Sequence, residues 1–203
     1  MNATTRITPA PATTTPATAT PTTGEVDNRS AYLSFTLAYL LGHGGAALSK
    51  GADPLLSLPG WLPITLLGAG IVTGVIQSMS ASIRAQRGAG KSEALAGQLA
   101  GFSWVTGFVA LFLAITGLTT AYDTPELQSV LWAAGSVLVV GLIYLAEGAV
   151  HRNMLHYGLG TWLALIAAAS LFLDAPGLYA VLAIAGGGGY AVAAVLERRR
   201  LAL

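Results

Sequence analysis

Apolar residues in this chain come in long runs separated by short polar turns. Six runs stand out: Ala31 to Leu48, Trp61 to Ser82, Leu95 to Thr120, Leu127 to Val150, Met154 to Leu173, and Gly177 to Leu196. Each approaches the roughly 20 residues that a helix needs to cross a hydrocarbon core. None alternates with the period of a barrel strand, and helices satisfy their own backbone polar groups where no water is present. The pattern predicts an all-α, polytopic membrane protein with six transmembrane helices.

The polar breaks say how the runs are joined. Three of them read Asp53-Pro54, Asp123-Thr124-Pro125 and Asp174-Ala175-Pro176. Asp favours turns and N-caps, and Pro is tolerated in the first turn of a helix. The runs therefore group as three hairpins. The three are either related repeats in tandem or hairpins that share ordinary turn residues. Basic residues fix the orientation. Arg6 and Arg29 precede the first run, Arg84, Arg87 and Lys91 follow the second, Arg152 follows the fourth, and Arg198, Arg199 and Arg200 follow the sixth. Lys50 alone falls in the opposite set of segments. Positive residues favour the cytoplasmic side, so both termini are expected there.

Composition agrees with lipid as the main solvent. Only 9% of residues are charged and the mean hydropathy is +0.65, against about 25% charged in soluble domains. Eight Arg against two Lys, with abundant Ala and Gly, suggests a GC-rich bacterial genome and a multi-pass plasma-membrane protein. Without cysteine, disulfides and thiolate metal sites are excluded. No basic patch with interleaved aromatics is present, which speaks against nucleic acid as a partner. Residues 1–28 are rich in Thr, Ala and Pro and lack an apolar core, so they read as a disordered cytoplasmic tail ahead of a membrane domain over 29–203.

Small and polar residues within the runs are the candidates for packing and chemistry. Gly70 and Gly74 form a GxxxG face, Gly135 and Gly141 lie in the fourth run, and Gly186-Gly187-Gly188-Gly189 in the sixth. Such residues let helix backbones approach. The four-glycine run is either a bare packing surface or a point where the helix unwinds beside a substrate site. His43, within Gly42-His43-Gly44-Gly45, is an intramembrane imidazole, either bonded to a backbone carbonyl or functional. Glu147 and His151 share a face at the inner end of the fourth run and suggest a proton relay or a solvated ion pair; Arg152 and His156 follow. Gln77 and Trp104 lie in inner halves, whereas Trp61 and Trp132 read as interfacial anchors. No catalytic motif is found. Gly88-Ala89-Gly90-Lys91-Ser92 lacks the first glycine of a phosphate loop, since residue 85 is Ala85. The chain is read as no enzyme, with no cofactor and no metal site.

Several stretches carry a resemblance. They are Gly70-Ile71-Val72-Thr73-Gly74-Val75-Ile76-Gln77, Ala100-Gly101-Phe102-Ser103-Trp104, Leu131-Trp132, and Gly189-Tyr190-Ala191-Val192-Ala193-Ala194-Val195-Leu196-Glu197. Together with the layout they resemble the acetate uptake transporter family, small six-span proteins that move acetate and succinate. The family's Asn-Pro-Ala-Pro-Leu-Gly-Leu entry motif is replaced by Asn28-Arg29-Ser30-Ala31-Tyr32-Leu33-Ser34. The resemblance implies a homo-oligomer in the lipid bilayer and a small carboxylate as substrate. It implies a path past Tyr39 as gate, with Ala100 where the family has an aromatic constriction, and with Trp104 in the same region. His43 and Gln77 then offer hydrogen bonds to the carboxylate, while Glu147 and His151 handle protons at the inner mouth. The alternative is an accessory or scaffold membrane subunit that transports nothing.

Overall fold

The computed structural model describes residues 26–85 and 90–201, with Glu93 described by its backbone alone. The Thr/Pro-rich stretch up to residue 25, and Arg87 in the basic loop, lie outside the described residues. All regular structure among the described residues is helical. Six rods occupy the six apolar runs. Rod α1 covers 29–49 and is built from Arg29–Ala38, a π turn at Tyr39–His43, and Gly44–Ser49. Rods α2 and α3 are Trp61–Ala85 and Lys91–Ala121. Rod α4 is Gln128–Val150, led by a 3₁₀ turn at Pro125–Leu127, and α5 is Met154–Ser170. Rod α6 joins Ala175–Val181, a second π turn at Leu182–Gly186, and Gly187–Arg200.

Four helical stretches are long and apolar enough to cross a membrane: Trp61–Ala85, Ala94–Ala121, Pro125–Val150 and Ala175–Arg200. Met154–Ser170 is apolar but shorter, and α1 falls outside that set. The chain is thus a helical bundle of membrane-protein type.

The rods pack as an arc in the order α2, α1, α6, α5, α4, α3. Among the described residues no packed face joins α2 to α3. The core lies between α1, α4, α5 and α6, where Tyr32, Tyr39, Val137, Tyr144, Leu163, Leu178 and Tyr190 are buried together. The outlying rods show the opposite. Only 11% of the apolar window of α2 and 6% of that of α3 is buried within the chain, against 50% for α6. Their apolar faces need lipid or another subunit.

Glycine determines how close the rods come. A Cβ on Gly141 would meet the backbone nitrogen of Ala164 at 2.5 Å, and one on Gly160 would strike the backbone of Leu145. Hence α4 and α5 meet backbone to backbone. The GxxxG face of α2 serves the same purpose against α1: Gly70 faces Ala38, and Gly74 faces the Phe35 ring. The first glycine of the four-glycine run closes the wide π turn, and the other three continue as α-helix. Tyr39 fills the face of Gly186 and Trp162 that of Gly189, while Gly188 faces open space.

Asp-Pro turns behave as their chemistry suggests. Asp174 caps α6 by accepting from the Gly177 N–H at 3.0 Å. Asp123 takes a left-handed conformation, φ 51°, between α3 and α4. At the other end of the bundle the last tail residues are fastened down. The Asn28 N–H donates to Glu197 Oε1 at 3.2 Å, and Arg200 donates to the Val26 carbonyl at 2.9 Å. Arg29 forms a bidentate pair with Asp27, and that side-chain bond holds the Asp27 carboxyl below its usual range. Residues 26–28 therefore belong to the bundle rather than to the tail, because Glu197 and Arg200 present them with matched donors and acceptors.

Candidate functional site

The end of the core nearest Asn28 and Glu197 is organised by a short turn. Helix α4 stops at Val150, and Arg152 adopts a left-handed conformation, φ 52°. Asn153 then caps α5, its side chain accepting from the His156 N–H at 3.0 Å. This turn folds α5 back so that His156 faces Glu147. The His156 Nε2 lies 3.2 Å from Glu147 Oε2, and the Trp104 indole N–H donates to Glu147 Oε1 at 2.9 Å. Both carboxylate oxygens are thereby satisfied in a side chain only 23% exposed.

The proposed pairing of Glu147 with His151 is not what forms. His151 is the residue at which α4 ends, with φ −89° and ψ 5°, and it is exposed. Its N–H still donates to the Glu147 carbonyl at 2.9 Å, but its side chain lies exposed and His156 meets the Glu147 carboxylate instead.

From His156 a column of rings runs along the core. Its Nδ1 lies 2.8 Å from the Tyr32 hydroxyl. Nε2–H facing the carboxylate leaves Nδ1 to accept from Tyr32, which is the tautomer this network favours. The Tyr144 ring stands 4.1 Å from the imidazole. Tyr190 follows, 6.4 Å from Tyr144, 6.2 Å from Tyr32 and 5.2 Å from Tyr39, centroid to centroid. Tyr39 meets His43 edge-on at 4.9 Å, and His43 stacks with Tyr179 at 6.0 Å. The Tyr179 hydroxyl donates to the Ser129 carbonyl at 3.2 Å, and the Lys50 ammonium lies 5.1 Å over its ring. These contacts link one end of the bundle to the other.

The two π turns face one another across this column. Tyr39 and His43 open and close the turn in α1, while Gly186 in the turn of α6 accommodates the Tyr39 ring. Near the second turn the Trp162 indole donates to the Ala185 carbonyl at 2.8 Å. The Trp162 indole thus ties α5 to α6. His43 is 3% exposed. Its Nδ1 is buried with no hydrogen-bond partner. Leaving a polar atom dry and unbonded costs free energy, and π turns occur often at functional sites.

The other sequence candidates are dispersed. Gln77 accepts from the Ser34 hydroxyl at 3.1 Å, tying α2 to α1. Trp104 belongs to the Glu147 cluster. Ala100 stands one turn before Trp104 on α3, a rod that packs against α4 rather than against α1 with its Tyr39 and His43. Trp61 is 64% exposed, as an interfacial anchor would be, and Trp132 packs against Phe112. Sequence reasoning passed over Tyr32, Tyr144, Tyr179 and Tyr190. A helical signal was available in α1, where Tyr32, Tyr39 and His43 share a face at i, i+7 and i+11. Among the described residues no group of three or more His, Asp or Glu is placed to hold a metal ion.

No family model matches the chain, and neither a curated protein nor a solved structure matches it.

Proposed function

We propose that the chain is a six-span plasma-membrane carrier of small monocarboxylates, with both termini cytoplasmic and the substrate path closed in this conformation. The observation that carries the reading is His43, a buried imidazole with an unbonded Nδ1 where two apolar rods both widen into π turns. A monocarboxylic acid in its neutral form supplies an O–H donor for that nitrogen. Travelling neutral, it also avoids the large cost of taking a carboxylate through hydrocarbon. Tyr39 and Tyr190 close the path on the inner side of His43, being 4% and 1% exposed.

Labelled acetate uptake into proteoliposomes tests this directly. The protein is expected to raise uptake well above that of protein-free vesicles, and His43→Ala is expected to lower it at least ten-fold. Uptake equal to protein-free vesicles would remove the carrier reading. The filled core supports a second reading, a non-transporting accessory subunit. Its apolar outer rods would then hold a partner, and co-purification of another membrane protein in place of uptake would support it.

The six-span topology has its own test. Because the chain contains no cysteine, single substitutions report side by side without background. Ser92→Cys is expected to label with an impermeant maleimide only from the cytoplasmic face, and Asp53→Cys only from the other. Labelling of Ser92→Cys from outside would overturn the orientation.

A further inference from the structure

We propose that the Glu147–His156–Tyr–His43 column is a proton pathway through the bundle, working without any carboxylate substrate. It spans all four core rods: Tyr32, Tyr39 and His43 come from α1, Tyr144 and Glu147 from α4, His156 from α5 and Tyr190 from α6. Each is a group that can take a proton on one side and give one on the other. Core packing alone would be served as well by Phe and Leu, and each buried hydroxyl or imidazole carries a desolvation cost that Phe would not.

One direct stretch and a run of adjoining rings carry the transfer. At the inner end Glu147, His156 and Tyr32 are joined by contacts of 3.2 Å and 2.8 Å. Through the middle, Tyr144, Tyr190 and Tyr39 follow one another at ring-centroid distances of 6.4 Å and 5.2 Å. The links from the inner group to Tyr144 and from Tyr39 to His43 are ring contacts of 4.1 Å and 4.9 Å; the proposed pathway requires bridging waters at these links and between the tyrosine hydroxyls. Charges bracket the pathway rather than interrupt it. Lys50 lies over Tyr179 at the outer end, and the Glu197–Arg200 pair flanks Tyr32 at the inner end.

The transfer balances. A proton taken up by His43 from the outer side displaces one toward Tyr39. Each hydroxyl accepts one proton and releases its own to the next group. Tyr32 delivers to His156 Nδ1, and the Nε2 proton passes to Glu147 and then to the inner solvent. Only O–H and N–H bonds break and form, and nothing is oxidised or reduced. Rotation of the hydroxyls and of the imidazoles resets the chain.

The experiment uses the full-length protein in liposomes loaded with a pH-sensitive dye, with a potassium diffusion potential set by valinomycin and no carboxylate present. The protein is expected to raise proton influx at least ten-fold over protein-free liposomes. Tyr190→Phe, which keeps the ring and removes only the hydroxyl, is expected to cut that influx at least ten-fold, as is His43→Gln at the other end of the column. Trp132→Phe, outside the column, is expected to conduct as the wild type does. Unfolding midpoints in detergent verify that each variant is folded, and the second column variant decides the matter if one fails to fold. Influx no higher than in protein-free liposomes, or undiminished in folded Tyr190→Phe, overturns the pathway. Proton influx without acetate uptake would refute the carrier reading and leave the pathway standing; acetate uptake without proton influx would do the reverse.

Discussion

Glu197→Leu is expected to be the most damaging single substitution at the end of the bundle that holds Asn28 and Arg200, lowering stability by about 2–3 kcal/mol. Glu197 is fully buried, and Arg200 donates to it from Nε at 2.8 Å and from Nη2 at 2.9 Å. It also accepts the Asn28 N–H. Leucine fills the volume but leaves the guanidinium without its counter-charge and the amide without its acceptor. The cost comes from removing the acceptor that the guanidinium and the Asn28 amide share, tempered because Arg200 still reaches solvent and the Val26 carbonyl. The double substitution Glu197→Leu with Arg200→Met is therefore expected to recover most of the loss, since apolar replacement of a whole buried pair is often neutral or better. Thermal unfolding in detergent micelles measures both. A Glu197→Leu protein as stable as the wild type would show that the pair does not hold the entry segment to α6.

The second large effect is expected at Gly141. Valine there places its Cβ against the backbone of Ala164 and the carbonyl of Gly160. Side chains can rotate away from such a contact, but a helix backbone cannot, so α4 and α5 must move apart. Overpacking of a tight core costs about 1–3 kcal/mol, and the upper end is expected because the obstacle is main chain. The displacement also shifts Tyr144 and Glu147 on α4 relative to His156 on α5, the pair on which the inner cluster depends. The same substitution at Gly68 meets nothing within 4 Å and is expected to change the unfolding midpoint little. Equal midpoints for Gly141→Val and Gly68→Val would show that the α4–α5 contact is not limited by glycine.

These contrasts also show which parts of the molecule were readable from residues alone. Long apolar runs place the rods, because a helix in lipid has no alternative partner for its backbone. Gly70 and Gly74 pointed correctly to a helix interface, since absence of a Cβ has the same meaning in any register. The π turns were hidden. Tyr39–His43 and Leu182–Gly186 contain no residue that marks a wide turn, and the flanking residue Ala38 keeps ordinary helical angles of −55° and −48°. The inner cluster was misread for a related reason. His151 keeps its i, i+4 backbone bond to Glu147 but is exposed; the left-handed Arg152 folds α5 back so that His156, outside that helical spacing, reaches the carboxylate. Tertiary contacts between distant rods, such as Tyr190 on α6 with Tyr32 on α1, leave no local trace.

The pair of wide turns has a consequence for how this bundle could change shape. Each holds one residue more than an α turn, so the segment beyond it is out of phase by about 100° with the helix before it. Sliding such a defect along the rod by a few peptides re-aims the intervening side chains one after another while the rod stays intact. With two defects abreast in α1 and α6, Tyr39 and His43 can be swung off the axis of the bundle by a local change of winding, with no domain having to tilt.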